Sequence, residues 1–475
     1  MHFLANGAEH HLDAEVSRVF LSPSKSCQSI CRRSRGLRYC PRMTKSSARD
    51  RLEQALARIA DPAGEGCRAC LTVYTEAARA AADAADARAR LGISFGPLDG
   101  AIVSIKDLFD VAGEVTRAGS RILAEEGTPA TVDALVVRRL RGAGAVIVAK
   151  TNMTEFAFHS LGTNPHFGTP GNPVDRARVP GGSTSGGAVA VADGMCEIAI
   201  GSDTGGSTRI PAALCGIVGW KPSRQRVPTD GAFPLSYTLD SIGPVARNVA
   251  DCAKTDAIMA GETPHQLESM SLPGLRLGIP QGFPLEDLDE AVATAWSTAL
   301  GRLGKAGVQL SDEKIPLLAE MIKVNSKGGF SPAEAFVIHR ERLLRRAPDL
   351  DPNVRARIER GSGMSAADYI EMQQQRGMLV RAMDARIEGF DALILPTTPI
   401  VAPRIAEVAT PEAFAAKNMI LLRNTSLMNF FDLCAISLPL PRGSGLPVGL
   451  MLAARNGADW RLLRIAMSIE RLLAS

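Results

Sequence analysis

Several features that define particular protein classes are missing from this sequence. No run of apolar residues approaches the ~18 that a membrane-spanning helix requires. Nine cysteines in 475 residues are too few for a disulfide scaffold. Residues 1–42 hold seven basic and three acidic residues, which accounts for the whole net charge of +4, so residues 43–475 are neutral. A neutral body has no charge excess that would direct it to nucleic acid or to an acidic membrane.

Motifs for metals and for phosphate-bearing cofactors are also missing. The sequence contains neither a GxxxxGKS/T phosphate loop nor an HExxH motif. Cys67 and Cys70 form a lone CxxC pair, which does not indicate zinc without a second pair. A GxSxG motif at residues 92–96 follows a predicted helix and precedes a predicted strand, the reverse of the order in a nucleophile elbow. We therefore expect no metal and no cofactor, although residue types alone leave a Ser-His-Asp triad open.

Residues 1–42 differ from the rest of the chain in their composition. They are rich in Arg and Ser and show no helical or strand period, whereas Met43 opens a normal amphipathic stretch. We expect residues 1–42 to be a disordered or non-native N-terminal extension, with translation beginning at Met43. The intact mass of the natively expressed protein checks this expectation.

Strand and helix patterns alternate along residues 43–475. Apolar strand patterns at 100–106 and 145–150 enclose a helical pattern at 131–141, and a long helix is predicted over 366–387. Such alternation predicts an α/β fold with a large mixed, mostly parallel sheet sandwiched by helices. We expect one domain over residues 43–475, in which 262–390 is a candidate helical insertion.

Two segments dense in glycine and serine are the strongest local signal for chemistry. They read PGGSTSGG at 180–187 and GSDTGGSTR at 201–209. Glycines let a backbone approach a ligand closely, and successive N–H groups at such a turn can bind an oxyanion. A hydroxyl at Ser207 would lie beside these donors. The same residues also suit plain strand-to-helix turns or a phosphate-binding loop, and the residue types leave these alternatives open.

The segments belong to a longer series of motifs, and the likeness weakens after Asp251. In chain order from Gly96 the series reads GPLDGAIVSIKD, KTNMTEFA, GGSTSGG, GSDTGGSTRIPAALCGIVGWKPS and LDSIGPVARNVAD. On these motifs the sequence resembles the amidase signature family. The resemblance implies an enzyme that cleaves the C–N bond of a carboxylic amide through an acyl-enzyme, with a Ser-cisSer-Lys triad.

The resemblance assigns roles residue by residue. It makes Ser207 the nucleophile, Lys106 the base and Ser183 the proton bridge that follows a cis peptide bond. The backbone N–H groups of Thr204, Gly205, Gly206 and Ser207 become the oxyanion donors. The supporting residues are Gly182, Thr184, Ser185, Asp203 and Arg209. Many members read GGSSGGSA where this chain reads GGSTSGGA, so Ser185 competes with Ser183 for the bridging role.

This chemistry requires a neutral lysine, because only the free amine can accept a proton. Burial without a strong acidic partner lowers a lysine pKa from its ordinary ~10.4. Asp107 is adjacent to Lys106, but neighbouring side chains on a strand point to opposite faces. Met153, Phe156 and Phe233 are candidate substrate-pocket residues that could equally belong to the core.

Other functions stay open at this point. Within the family they are the amidase subunit of a glutamine-dependent tRNA amidotransferase and a hydrolase of carbamates or urea derivatives. Outside it, the chain could be a non-catalytic binding protein on the same scaffold, although retention of all three triad residues argues against this. We expect a small-molecule amide substrate, no direct contact with nucleic acid or membrane, a cytoplasmic location and, from the family, a homodimer.

Overall fold

The computed structural model describes residues 46–443 and 445–474, and the expectations for residues 1–42 lie outside them. In this part of the chain eleven strands form one sheet. The strands are β1 (Cys70–Val73), β2 (Ile102–Lys106), β3 (Val146–Thr151), β4 (Ile198–Asp203), β5 (Val218–Lys221), β6 (Ser241–Ala246), β7 (Arg276–Pro280), β8 (Gln309–Glu313), β9 (Ala392–Pro396), β10 (Cys434–Pro439) and β11 (Gly449–Ala454).

Helices precede, connect and follow these strands. The described α-helices are α1 (Ala48–Ala60), α2 (Gly66–Ala69), α3 (Thr75–Arg90), α4 (Arg121–Glu126), α5 (Leu135–Gly142), α6 (Ser185–Asp193), α7 (Arg209–Cys215), α8 (Val249–Ala260), α9 (Glu290–Lys305), α10 (Leu317–Asn325), α11 (Phe330–Arg346), α12 (Pro352–Glu359), α13 (Ala366–Ile387), α14 (Pro411–Leu422), α15 (Thr425–Phe430) and α16 (Asp459–Ala474). None of the described helices is long and apolar enough to cross a membrane.

The sheet order is β1-β3-β2-β4-β6-β5-β10-β11-β9-β7-β8. Strands β3, β2 and β4 run parallel, and so do β9, β7 and β8. The four strands between these two blocks run antiparallel to their neighbours. The β5–β10 pairing joins the six strands of residues 70–246 to the five strands of residues 276–454.

The expected α/β architecture with a large mixed sheet is confirmed, but the expectation of a mostly parallel sheet is wrong. Six of the ten strand pairings in the described part of the chain are antiparallel. A helix between two strands, such as α7 between β4 and β5, gives both strands the same direction. It does not make them neighbours, because β6 inserts between them and runs the opposite way.

Both faces of the central strands are buried, which explains their nearly continuous apolar sequences. On β4, Ala199 packs in the core cluster beneath α1, α3 and α6, whereas Ile198 and Ile200 pack in the cluster beneath α5, α8 and α16. Strand β2, in the middle of the N-terminal parallel block, is buried along its whole length. A side chain at its end is therefore held away from bulk water.

Residues 262–390 contribute more than helices. They contain α9 to α13, and also β7 and β8, which complete the far edge of the sheet. The description of this segment as a helical insertion into a single domain stays a prediction.

Candidate active site

Lys106 ends β2, and its side chain is fully buried. Its Nζ donates a hydrogen bond to Ser183 Oγ at 2.7 Å and another to Ser202 Oγ at 2.9 Å. Asp107 instead pairs with the buried Lys150 of β3, at 3.3 Å between Nζ and Oδ1. Strand alternation thus keeps the adjacent carboxylate away from the Lys106 amine.

The environment of Lys106 favours the neutral amine. Burial lowers the pKa of Lys106 to about 7, although the charges of Asp240 and Asp203 act in the opposite direction. In a substantial fraction of the molecules, the Lys106 amine is therefore unprotonated near neutral pH. An unprotonated amine next to a hydroxyl can serve as a base.

Ser183 follows a cis peptide bond, Gly182–Ser183, at the position where the resemblance implies one. The chain then enters α6 at Ser185, whose Oγ is buried without a hydrogen-bond partner among the described residues. Ser183 rather than Ser185 contacts Lys106. The backbone N–H of Thr184 donates to the carbonyl of Ser207 at 3.3 Å, so the two glycine-rich segments meet at this point.

Ser207 lies in the loop between β4 and α7. It is 6% exposed and lines a cavity, and no described residue bonds to its Oγ. The N–H groups of Gly205, Gly206 and Ser207 also have no acceptor among the described residues. Unpaired backbone donors at the edge of a cavity are the arrangement that binds a developing oxyanion.

A buried ion pair fixes this loop from behind. Asp203 accepts hydrogen bonds from Arg209 Nη2 at 2.8 Å and Nε at 3.1 Å, and both side chains are fully buried. Burial alone would raise the pKa of Asp203, but the Arg209 guanidinium holds it well below its usual range. Asn429 of α15 bridges the pair, accepting from Arg209 at 2.7 Å and donating to Asp203 Oδ1 at 2.8 Å.

Three contributors to the site have no role in the sequence-based assignment. Ser202 accepts from Lys106, Asp240 accepts from Thr204 Oγ1 at 2.5 Å, and Asn429 joins the Asp203–Arg209 pair. Ser202 and Asp240 lie inside the quoted motifs GSDTGGST and LDSIGP, which is the signal that could have marked them. Asn429 lies 222 residues after Ser207 and is connected to the site only by the fold.

The cavity in front of Ser207 has a volume of about 370 Å³. Apolar side chains from Leu239, Met321 and Phe330 line part of it. The assignment of Met153, Phe156 and Phe233 to the substrate pocket stays a prediction, and none of the three lines this cavity. Met153 and Phe156 are buried in the core, where apolar side chains near the motifs serve packing, and Phe233 lines a neighbouring cavity.

We expect Gly206→Ala to lower kcat by roughly 10²- to 10³-fold, the effect of losing one oxyanion donor. Gly206 has φ of +141°, and a Cβ there would lie 2.3 Å from Thr425 Oγ1, so the loop must move. Gly205→Ala is the matched control, because its Cβ would meet only Leu422 Cδ2 at 3.3 Å. Equal losses in the two variants, measured by steady-state kinetics, would contradict this account.

Comparison with known proteins places this geometry in a family. The family profile described as Amidase matches residues 50–463. The 2-amino-5-chloromuconic acid deaminase of Comamonas testosteroni is 36% identical over 412 residues, covering 83% of this chain and 86% of that protein. A glutamyl-tRNA(Gln) amidotransferase subunit of Anaeromyxobacter sp. (strain K) is 35% identical over 490 residues, covering 95% and 98%. A crystal structure of an amidase superposes with a TM-score of 0.80 at 32% identity, covering 90% of this chain and 96% of that one.

Proposed function

The chain belongs to the amidase family, and from that premise we propose that Ser207 attacks the amide carbonyl with Lys106 as base and Ser183 as proton bridge. As a member of the family, the protein is an enzyme that cleaves the C–N bond of a carboxylic amide. The proposal concerns the roles that Ser207, Lys106 and Ser183 play in this reaction.

One contact supports these roles above all others. The Nζ of a fully buried lysine lies 2.7 Å from Ser183 Oγ, and Thr184, the next residue, bonds to the Ser207 backbone. The other two fully buried lysines in the described part of the chain have partners that cannot relay a proton from a serine, since Lys150 pairs with Asp107 and Lys221 donates to the carbonyls of Pro222 and Leu433. Lys106 has only hydroxyl acceptors, Ser183 and Ser202, among the described residues.

The proposed reaction moves one proton through Ser183. In the neutral form of Lys106 the amine lone pair accepts the Ser183 proton, while an N–H of the amine donates to Ser202. Ser183 takes the proton of Ser207 in turn, and the Ser207 oxygen attacks the carbonyl carbon. The oxyanion accepts from the N–H groups of residues 204–207. The proton returns through Ser183 to the leaving amine, and water then hydrolyses the acyl-enzyme by the same relay.

Release of ammonia or amine from a panel of aliphatic, aryl and amino-acid amides tests this function directly. Among single variants, we expect Ser183→Ala to lower kcat by roughly 10²- to 10⁴-fold, the range for removal of a proton-transfer group. Ser185→Ala is the matched control, since its Oγ has no partner among the described residues and should matter less than about 10-fold. A larger loss in Ser185→Ala would move the proton bridge to Ser185.

A second candidate is the amidase subunit of a tRNA amidotransferase. The alignment with a glutamyl-tRNA(Gln) amidotransferase subunit, which covers 95% of this chain at 35% identity, favours this function. The neutral charge of residues 43–475 does not oppose it, because in such an enzyme a partner subunit can bind the tRNA. Ammonia release from glutamine with little turnover of other amides would favour the amidotransferase function, whereas hydrolysis of several amides without a partner would favour a stand-alone enzyme.

The remaining expectations stay predictions. They are the cytoplasmic location, the homodimer, and the use of carbamates or urea derivatives as further substrates. Size-exclusion chromatography with light scattering measures the oligomeric state. Carbamates and ureas belong in the same substrate panel as the amides.

A further inference from the structure

The cavity that contains Ser207 is positively charged. Three of its lining side chains are the guanidinium groups of Arg357, Arg360 and Arg423. None of the described residues that line it is an aspartate or a glutamate. Because the rest of the lining is neutral, no charge inside the cavity balances the three cations.

Arg357, near the end of α12, is the clearest case. It is half-buried, and its guanidinium carbon lies 4.7 Å from the centre of the Phe158 ring, which lines the same cavity. Its Nε is buried without a hydrogen-bond partner, and no described carboxylate lies within 4.0 Å of the side chain. Its neighbour His159 adds no charge of its own, because burial lowers the pKa of this imidazole to about 3 and leaves it neutral.

The other two arginines are similar in their lack of ionic partners. Arg360 is exposed on the cavity side, and its charge adds to the effect of burial in lowering the pKa of Arg357 to about 10. Arg423, just after α14, donates through Nη2 to the backbone carbonyl of Glu286, while its Nε is buried without an acceptor. Within the described ranges, neither side chain forms an ion pair within 4.0 Å. Burial lowers the pKa of Arg423, although the charges of Asp287 and Glu286 partly offset this effect.

Three arginines that are buried or half-buried elsewhere in the chain have carboxylate partners. Arg209 faces Asp203, Arg226 faces Asp256, and Arg376 faces Asp432. Withdrawing a guanidinium from water without an anion is unfavourable, so such groups normally acquire a carboxylate partner. The cavity therefore presents guanidinium donors that no carboxylate among its lining residues occupies.

We propose that Arg357, Arg360 and Arg423 bind a carboxylate of the substrate, so that the amide cleaved at Ser207 is anionic. The proposal rests on the proposed function of Ser207. The planar fork of a guanidinium matches a carboxylate with two parallel hydrogen bonds, which gives both affinity and orientation. A cavity of about 370 Å³ holds both groups, so the carboxylate and the scissile amide belong to one small molecule such as the monoamide of a dicarboxylic acid.

Matched amide pairs test the preference. Succinamate is paired with isocaproamide, and terephthalamate with p-toluamide, so that a methyl or isopropyl group replaces the carboxylate. For at least one pair we expect kcat/KM of the anionic amide to exceed that of its neutral partner by about 10²-fold or more. The anionic KM should rise with ionic strength while the neutral KM stays constant.

Two variants locate the effect in the arginines. Arg360→Gln should raise the KM of the anionic amide by about 10-fold more than it raises the KM of the neutral amide. Arg357→Gln should raise the KM of the anionic amide by a larger factor than Arg360→Gln does. Arg381→Gln, an exposed residue of α13 outside the cavity, carries the same charge change and should alter neither substrate.

A second measurement does not depend on turnover. The dicarboxylates succinate and terephthalate should slow the labelling of Ser207 by a fluorophosphonate, and Arg360→Gln should weaken this protection. Equal turnover within every pair, or protection unaffected by Arg360→Gln and Arg357→Gln, would overturn the proposal. Protection by inorganic phosphate but by neither dicarboxylate would overturn the carboxylate as ligand.

The outcomes separate this proposal from the function on which it rests. Hydrolysis of neutral amides through Ser207 without an anionic preference removes only the carboxylate site. Absence of both labelling and turnover at Ser207 removes the proposed function itself.

Discussion

Replacing Ser207 with alanine is expected to abolish acyl-enzyme formation and to lower kcat by roughly 10⁴- to 10⁶-fold, as loss of a catalytic nucleophile does. The loss should come from the chemical step and not from unfolding, because the Ser207 hydroxyl makes no hydrogen bond with the described residues and its removal breaks no such contact. The fold should therefore be retained, with a free energy of unfolding within about 1 kcal/mol of the wild type.

A fluorophosphonate probe followed by peptide mass spectrometry measures this result. The wild type should gain one adduct on the peptide that contains Ser207, and Ser207→Ala should gain none. Ser185→Ala controls for a neighbouring buried serine and should be labelled like the wild type. An adduct on another serine, or turnover that survives Ser207→Ala, would exclude Ser207 as the nucleophile.

Replacing Lys106 with methionine should lower kcat by at least roughly 10³-fold while the protein stays folded. In the wild type, kcat/KM should fall as the pH drops below about 7, because protonation removes the base. Lys150→Met is the matched control, a buried lysine on the neighbouring strand that pairs with Asp107. It should lose stability, since Asp107 is left buried without its partner, yet keep the same pH midpoint.

The same lysine makes a testable contribution to stability. Its native pKa of about 7 lies below the ordinary 10.5, so between these values the unfolded chain binds a proton that the native chain does not. The free energy of unfolding contributed by Lys106 therefore rises with pH in this window, by up to about 1.4 kcal/mol per pH unit. Chemical denaturation of the wild type and of Lys106→Met should show this difference in slope. Parallel pH profiles would mean that the Lys106 pKa is not lowered.

Local signals in the sequence were enough to predict many of the elements. The helix predicted over 366–387 coincides with α13, because Ser365 caps it by accepting from the Asp368 N–H and its helical pattern is continuous. The opposite orientations of Lys106 and Asp107 follow from strand geometry alone. Such features depend on residues a few positions apart, which a single sequence displays.

Features made by distant segments could not be predicted in this way. The insertion of β6 between β4 and β5 depends on pairing across the sheet, and nothing near these strands in the sequence indicates it. Arg357 lies 150 residues after Ser207 on a helix whose charges suggest a solvated face. Met153 and Phe156 lie near the catalytic motifs in sequence, yet their side chains point into the core.

The pairing of β5 with β10 separates two tasks along the chain. Lys106, Ser183 and Ser207 all precede it in sequence, on the side of residues 70–246, whereas Arg357, Arg360 and Arg423 come from the side of residues 276–454. Under the proposed roles, the residues for bond cleavage and those for charge recognition lie in consecutive stretches of the sequence. A crossover between β6 and β7 would exchange the three arginines as a block and keep Lys106, Ser183 and Ser207, but the incoming stretch would have to supply an equivalent of Asn429 to hold the Asp203–Arg209 pair.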